Sequence, residues 1–473
     1  MELDNLVSLF VLQFAKRHLL FRRQTIKTPK MEKVINLGIP HVGEKILENI
    51  DTDGLIECLK VSETWKILAE NVLLKRWKGR IFEACEIGKT EIVKLLLEWV
   101  ENNNLNAIQT SGKFEGTAFV VACQNGHNEV IQLLLDLKKD KNVEFDARNR
   151  DGYTTFCAFG HKDVVQLILD HAIDRNIRLN VKDENEGTPF MLACQNGHKN
   201  IVQLFLQYSE DRNIDMNARD NDGWTALMYA CFHGHKDIVQ LLLQYSEDRD
   251  IDLNARDNEG WTPFISACKS GLKDVVQLLL EYPDQNIDLN TRDNDGWTAF
   301  MYACSHGQKD IVQLFLQYSE DRDIDLNARE IDGWTPFSIA CKTGLKDVVQ
   351  LLLEYRDQNI DLNARDNDGD TAFMIACSSG HKDVVQLLLN HSVDRNIDLN
   401  ARNESGGTAF MIASMNGHKY ITQLLLALSR IDVNARDNDG STAYMRACYY
   451  GHTDIVKLFL EYSKDRSIDL LTQ

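Results

Sequence analysis

From about residue 80 onward the apolar positions repeat one two-part pattern, and the copy beginning at Asp222 displays it in full. Ala226, Leu227, Met228, Ala230 and Cys231 make a short apolar stretch that ends in small residues. After Gly234 and His235 come Ile238, Leu241, Leu242 and Tyr245 at helical spacing, with Val239 and Leu243 widening the stripe. Apolar residues in that register predict an amphipathic helix. Thr225, following Asp222 and Gly223, predicts a turn and a helix start, and Gly234 ends the first helix where neighbouring backbones approach at Ala230 and Cys231. A polar segment from Ser246 to Asp250 follows, then Leu253 to Asn258, which leads into Gly260, Trp261 and Thr262 of the next copy. Two polar stretches around a turn predict an extended finger between units.

One helix pair cannot bury so wide a stripe, whereas a pair sandwiched between two copies of itself can. The spacing between copies is usually 36 or 37 residues, and a period of that size is the mark of stacked repeats. A stack offers a long surface rather than a pocket, so recognition of other macromolecules comes ahead of catalysis.

The string resembles the ankyrin repeat, whose signature runs Gly-x-Thr-Pro-Leu-His-x-Ala, then Gly-His, then an apolar second helix. About eleven copies cover roughly four fifths of the chain, with the Gly before the Thr motif at Gly116, Gly152, Gly187, Gly223, Gly260, Gly296, Gly333, Gly369, Gly407 and Gly440, and a degenerate first copy from Ala84 to Leu97. The resemblance implies an all-α solenoid of helix-turn-helix units with hairpin-like fingers over residues 79–473. Three departures stand out. The period exceeds the family's 33 or so residues, and the excess falls in the Tyr-Ser-Glu-Asp-Arg segment after the second helix, where a longer surface loop costs little closure entropy. The signature His is replaced mostly by Met, at Met191, Met228, Met301, Met374, Met411 and Met445, which leaves the turn held more by packing. The copy from Asp151 to His161 is three residues short, which implies a distorted repeat or a bend.

Nine of the eleven cysteines (Cys85, Cys123, Cys194, Cys231, Cys268, Cys304, Cys341, Cys377 and Cys448) share one repeat position, and Ser414 fills it once. A position that exchanges with Ser reads as a small reduced core filler, not as a metal ligand or a disulfide. The Gly-His pairs at His127, His161, His198, His235, His381, His418 and His452 read as structural hydrogen bonds, since each begins a second helix in the same surroundings. Neither a nucleophile-base arrangement nor a phosphate loop nor a zinc spacing rises above this background, so no enzyme, cofactor or metal is expected. Net charge is −19 overall, +4 over residues 1–80 and −23 over the rest. So acidic an array repels phosphate backbones and suits basic or neutral protein targets; nucleic acid is not an expected partner.

Residues 1–30 hold an apolar run, Leu6 to Ala15, too short to span a bilayer and without the features of a secretory signal; a loosely ordered extension or a surface-lying amphipathic helix is expected. With the reduced thiols, this points to a monomer in the cytoplasm or nucleus. Residues 38–78 change pattern. Val42, Ile46, Leu47 and Ile50 form one helical stretch, ended by Asp51 to Asp53; a second carries Leu55, Ile56, Cys58, Leu59, Val61 and Trp65, and a third Leu68, Leu73, Leu74 and Trp77. Three short helices bury little alone and need a partner.

This segment resembles the F-box, with Ile39 and Pro40 in place of the opening Leu-Pro pair, Leu47 and Ile50 on its first helix, Leu55, Cys58, Val61 and Trp65 on its second, and Leu74 and Trp77 at its close. The opening Leu is Ile here, and His41, Val42 and Gly43 replace the usual acidic stretch. The resemblance implies a small three-helix F-box-like domain that docks on a Skp-type adaptor of a cullin ubiquitin ligase while the repeats hold the target. The alternative is a helical cap that seals the first repeat of a scaffold with no ligase link; exposure of Leu55, Val61 and Trp65 decides between them. For the target, Trp224, Trp261, Trp297 and Trp334 on four successive fingers are the expected hot spots, with Tyr229, Tyr302 and Phe232 on the first helices, because Trp offers large contact area with little rotamer entropy to lose. The other account of the row is rings stacking on adjacent fingers. Finally, Asn217, Asn254, Asn290, Asn327, Asn363, Asn400 and Asn434 match the asparagine that hydroxylases modify in this family; hydrogen bonding to the finger turn is their simpler role.

Overall fold

A computed structural model describes residues 44, 47–48, 50–60, 63–102, 118–137, 160–282, 286–355 and 360–470. Residues 1–30, Ile39, Pro40, Val61 and most of the shortened copy lie outside them. The described residues are helical and contain no strand, only an isolated bridge between Arg365 and Thr371. They divide into two compact units, the described residues up to 193 together with 203–214, and 194–202 together with the described residues from 215 onward.

In the second unit the helix pairs are Ala226–His233 with Lys236–Gln244, Pro263–Lys269 with Lys273–Glu281, Ala299–Ser305 with Lys309–Tyr318, Pro336–Thr343 with Lys346–Glu354, Ala372–Ser379 with Lys382–His391, Ala409–Met415 with Lys419–Leu426, and Ala443–Tyr449 with Thr453–Tyr462. Each first helix packs on the next first helix, and each second helix on the next second helix. The core is a ribbon repeated unit by unit. Phe315, fully buried, meets Phe264 of the preceding repeat at 5.6 Å and Phe300 of its own at 5.1 Å between ring centroids.

Each first helix opens on a threonine cap: Thr225, Thr298 and Thr371 hydroxyl oxygens accept from the backbone N–H of Met228, Met301 and Met374 at 3.4 Å. The methionine does more than pack. Met228 and Met301 sulfurs accept in return from the Thr225 and Thr298 N–H at 3.4 Å, so a weak reciprocal capping box replaces the lost histidine link. Ser338 closes the same box through its hydroxyl, 2.8 Å from Thr335 N.

The first helix ends on a left-handed glycine, such as Gly344 at φ 74°, and a β-carbon added there would lie 2.6 Å from His381 of the next repeat. That histidine is a staple between repeats. Nε2 of His127, His161, His235, His381, His418 and His452 bonds a carbonyl at the end of the preceding first helix at 2.7–3.0 Å, as expected of a structural role. Gln308 keeps one such bond, to Lys269 O at 3.3 Å, whereas Leu272 and Leu345 fill the place by packing against Gly234 and Gly307.

In the copies where they are described throughout, the added residues after the second helix form an ordered turn, not slack. It ends on a left-handed residue without the help of glycine, at Asp250, Asp323, Asn396 and Ser467. The asparagine of the preceding repeat explains why. Asn290 donates to Asp323 O at 2.8 Å and accepts from Asp325 N at 2.9 Å; Asn363 treats Asn396 and Asp398 alike, and Asn434 treats Ser467 and Asp469 alike. These asparagines therefore clamp the next repeat's turn instead of their own finger.

Eight cysteines at the shared position, Cys85 to Cys377, are buried and free, and burial pushes the Cys85 thiol up to about 12 and the other seven well above the ordinary thiol range. Cys448 departs from the expectation: it is exposed, because no further helix pair follows among the described residues. Ser414 is buried and satisfies its hydroxyl on Phe410 O at 2.8 Å.

In the first unit, Ile81–Glu86 packs on Ala118–Gln124, and Thr90–Asn102 on Asn128–Leu135. The segment before them does not follow the expected three-helix division. Asp51 caps a helix Thr52–Cys58, its carboxylate 2.8 Å from Gly54 N, and a single 15-residue helix, Glu63–Trp77, carries Trp65 together with Leu74 and Trp77. Trp65 therefore sits on a different helix from Leu55. The chain restarts at Glu63, an acid in the first turn where the helix dipole favours it, and Lys75 and Arg76 close the last turn.

Candidate functional site

The finger is built by a side chain that imitates backbone. Asp220, Asp257 and Asp293 each accept from the N–H groups two and four residues on, so the N–H of Trp224, Trp261 and Trp297 is held at 2.7–2.8 Å, and Glu330 holds that of Trp334 at 2.8 Å. The fingers are also bonded to one another, Asn258 N to Asp222 O at 2.9 Å and Asn294 N to Glu259 O at 3.0 Å. A fixed row results, with one tryptophan and one acidic tip (Asp222, Glu259, Asp295 or Asp332) per repeat.

Two of the described glycines before the Thr motif directly adjoin the Thr, one position later than in the other described fingers. Glu186 (φ 64°) and Gly406 (φ 76°) take the left-handed conformation there, and Gly187 and Gly407 stand where the other fingers place tryptophan.

The four tryptophans are half-buried, which combines both accounts of the row. Trp224 lies 5.1 Å from both Tyr229 and Phe232, and Phe232 is 36% exposed. Trp297 tilts on Tyr302 at 5.2 Å, and Trp261 meets Tyr302 edge-on at 6.3 Å, so Tyr302 links two successive fingers. Trp334 donates Nε1–H to Asp366 of the next finger at 3.0 Å. Tyr229 and Tyr302 donate to the finger carboxylates Asp220 and Asp293 at 2.6 and 2.7 Å. Burial and the Asp293 bond push the Tyr302 phenol well above its ordinary range.

Two lysines complete the site. Lys269 Nζ stands 3.2 Å from the Trp261 centroid and 5.5 Å from that of Tyr302; Lys342 Nζ stands 3.3 Å from the Trp334 centroid. Burial draws the Lys269 ammonium downward, opposed by Asp293, Asp257 and Glu259. Both lysines are legible in the sequence as helix-end residues, but not their folding back over the rings. The available signal was their place, eight residues after a tryptophan in alternate copies.

The proposed adaptor-binding residues are assembled differently. Leu47, Leu55, Cys58 and Trp77 are buried, Leu55 completely, and Ile50 and Leu74 are half-buried. The side chain of Trp65 lies outside the described ones, as do Ile39, Pro40 and Val61. Helix Glu63–Trp77 packs on Thr90–Asn102, the second helix of the first repeat, and Lys89 pairs with Asp53. Arg76 ties the two segments by donating to Ile50 O at 3.0 Å and Glu48 O at 3.2 Å. Leu55 is thus an interior residue, in the manner of a cap.

Among the described residues no cluster of His, Cys, Asp and Glu could hold a metal ion, and no helix is long and apolar enough to cross a membrane. None of the curated proteins matches the chain significantly. Among solved structures, the ankyrin repeat domain of Bcl-3, described as a unique member of the IkappaB protein family, is 28% identical and covers 50% of this chain and 100% of that one, with a TM-score of 0.44. The family model for ankyrin repeats (3 copies) matches residues 81–179, 157–257, 249–330, 320–403 and 395–470, and with the stapled helix pairs and bonded fingers above this establishes that the chain belongs to the ankyrin-repeat family.

Proposed function

We propose that this protein is a non-catalytic protein-binding module whose target lies along the row of Trp224, Trp261, Trp297 and Trp334, with Tyr229, Tyr302 and Phe232 beside it. Ankyrin repeats are protein-interaction units. The observation that supports this placement is a row of half-exposed tryptophans, each with its backbone N–H held by a finger carboxylate, beside one acidic tip per repeat. Large rings already fixed by their neighbours lose little entropy on binding. Acidic tips favour basic or neutral targets. Buried free thiols support a reducing compartment such as the cytoplasm.

Within this reading, a substrate receptor that joins its target to a Skp-type adaptor and cullin ligase through residues 38–77 rests on the residue pattern alone. The complete burial of Leu55 and the packing of Glu63–Trp77 on the first repeat favour a cap and a scaffold instead. Co-purification of the full chain with a Skp adaptor tests this, compared with Lys66→Glu on the exposed side of the second helix. Stoichiometric binding weakened by Lys66→Glu supports the receptor; no binding by the folded chain leaves the scaffold.

A further inference from the structure

The four tryptophan sites share a finger carboxylate but differ in what covers the ring, and five residues after the tryptophan stand Tyr229, Ser266, Tyr302 and Ile339. Eight residues after the tryptophan stand Phe232, Lys269, Ser305 and Lys342. Phe232 packs on Trp224, and Lys269 and Lys342 place ammonium groups over Trp261 and Trp334. Ser305, at the end of Ala299–Ser305, has a side chain that stops one atom beyond its β-carbon, so it cannot reach where those lysines reach. Trp297 carries Tyr302 where the lysine-bearing repeats have Ser266 and Ile339, and Trp224 shows that a tyrosine there does not prevent a second side chain, Phe232, from packing on the ring. Tyr302 flanks the ring, Asp293 accepts from Trp297 N and the Tyr302 hydroxyl, and Asp295 and Glu330 are the counterparts in the repeat sequence of Glu259 and Asp293, which lie about Lys269.

We propose that Trp297 is the reading position of the row and accepts one lysine or arginine side chain from an extended segment of a partner protein, taking the place of the lysine this repeat lacks. This rests on the protein-binding reading above. The resident lysines of the flanking repeats show what such a finger holds: a cation over an indole face, with carboxylates beside it at Lys269. They also restrict the partner. Lys269 and Lys342 lie one repeat away on either side and disfavour a second cation there, but can pair with a carboxylate. Stacked helices lie about 8–10 Å apart, which an extended chain covers in roughly three residues. The recognised segment is therefore a basic residue with an acidic residue about three positions before and after it.

The test is selection of a displayed library of random dodecapeptides on the full chain, followed by anisotropy titration of one selected peptide. The titration compares the peptide with its basic residue replaced by Gln, each against the intact chain and Ser305→Lys. That variant installs the residue two neighbouring repeats already carry, so the fold tolerates it, and circular dichroism verifies this. Enriched peptides should carry the acidic-basic-acidic spacing. The Gln peptide and Ser305→Lys should each weaken binding about tenfold, and together little more than either alone. Enrichment of apolar residues at the central position, affinity indifferent to Ser305→Lys, or no enrichment overturns the proposal. Peptides that bind through Trp224 or Trp334 but ignore Ser305→Lys sink only this inference; the absence of any ligand sensitive to the four tryptophans sinks the protein-binding reading as well.

Discussion

At the scale of single residues, the repeats are held by groups that serve two copies at once, and this makes apparently equal substitutions unequal. Gly344 and Gly451 have the same left-handed backbone, φ 74° each. A β-carbon on Gly344 meets His381 Nδ1 at 2.6 Å, whereas on Gly451 it meets nothing within 4 Å. Gly451→Ala should cost only the backbone term, about 1 kcal/mol, and Gly344→Ala about 2–4 kcal/mol once displacement of the histidine is added; urea unfolding of each variant checks the order. The histidine itself follows the same logic. His381→Ala removes the side-chain bond to Lys342 O and leaves a gap, whereas His381→Leu reproduces the solution found at Leu272 and Leu345. The alanine variant should lose about 1–3 kcal/mol and the leucine variant clearly less. The thiols separate by burial: at neutral pH, iodoacetamide should label Cys448 in the folded chain and spare Cys123 to Cys377, whose thiolates are suppressed by their surroundings. Mass spectrometry of the labelled peptides decides it, and rapid labelling of the interior thiols would mean that the repeats open freely.

At the scale of elements, the helices and their order were legible in the sequence because each is specified locally, by a threonine start, a glycine stop and an apolar stripe between. What was not legible is what crosses from one copy to the next. The asparagine of the Leu-Asn-Ala-Arg stretch reads as a turn residue by its type, yet Asn290 bonds Asp323 O and Asp325 N, more than thirty residues away. Asn290→Ala should therefore lose both bonds and release the left-handed turn at Asp323, a cost of about 1–3 kcal/mol. Amide hydrogen exchange should rise over residues 319–325 and not around residue 290. The candidate site was partly legible for the same reason: the ring row is a matter of sequence position, but the lysines that occupy two of the rings depend on side chains folding back. The segment 51–77 illustrates the converse. Its apolar spacing resembles a known adaptor module, and spacing alone does not say which side of an apolar residue faces inward; Leu55 faces inward.

At the scale of the molecule, contacts that join only adjacent repeats make stability a property of position along the stack. Phe315 and Phe459 are equivalent residues, both fully buried, and truncating either to alanine carries a local cost of about 3–5 kcal/mol. Phe315 joins Phe264 and Phe300 in the interior of the second unit, with repeats on both sides. Phe459 meets Phe410 and Tyr444 in the last described helix pair, where Leu460 is 51% and Tyr449 81% exposed on the uncovered side. In a chain of nearest-neighbour couplings, a weakened end frays while a weakened middle uncouples what lies on either side. Phe459→Ala should leave the main unfolding transition near its original midpoint and raise hydrogen exchange from about residue 443 onward only. Phe315→Ala should replace one transition by two, with new proteolytic cleavage between residues 306 and 330 and both flanking fragments still folded. If both variants instead shift a single transition by the same amount, coupling reaches well beyond adjacent repeats. A target spanning several fingers would then experience the second unit as one rigid surface rather than as a series of separately yielding positions.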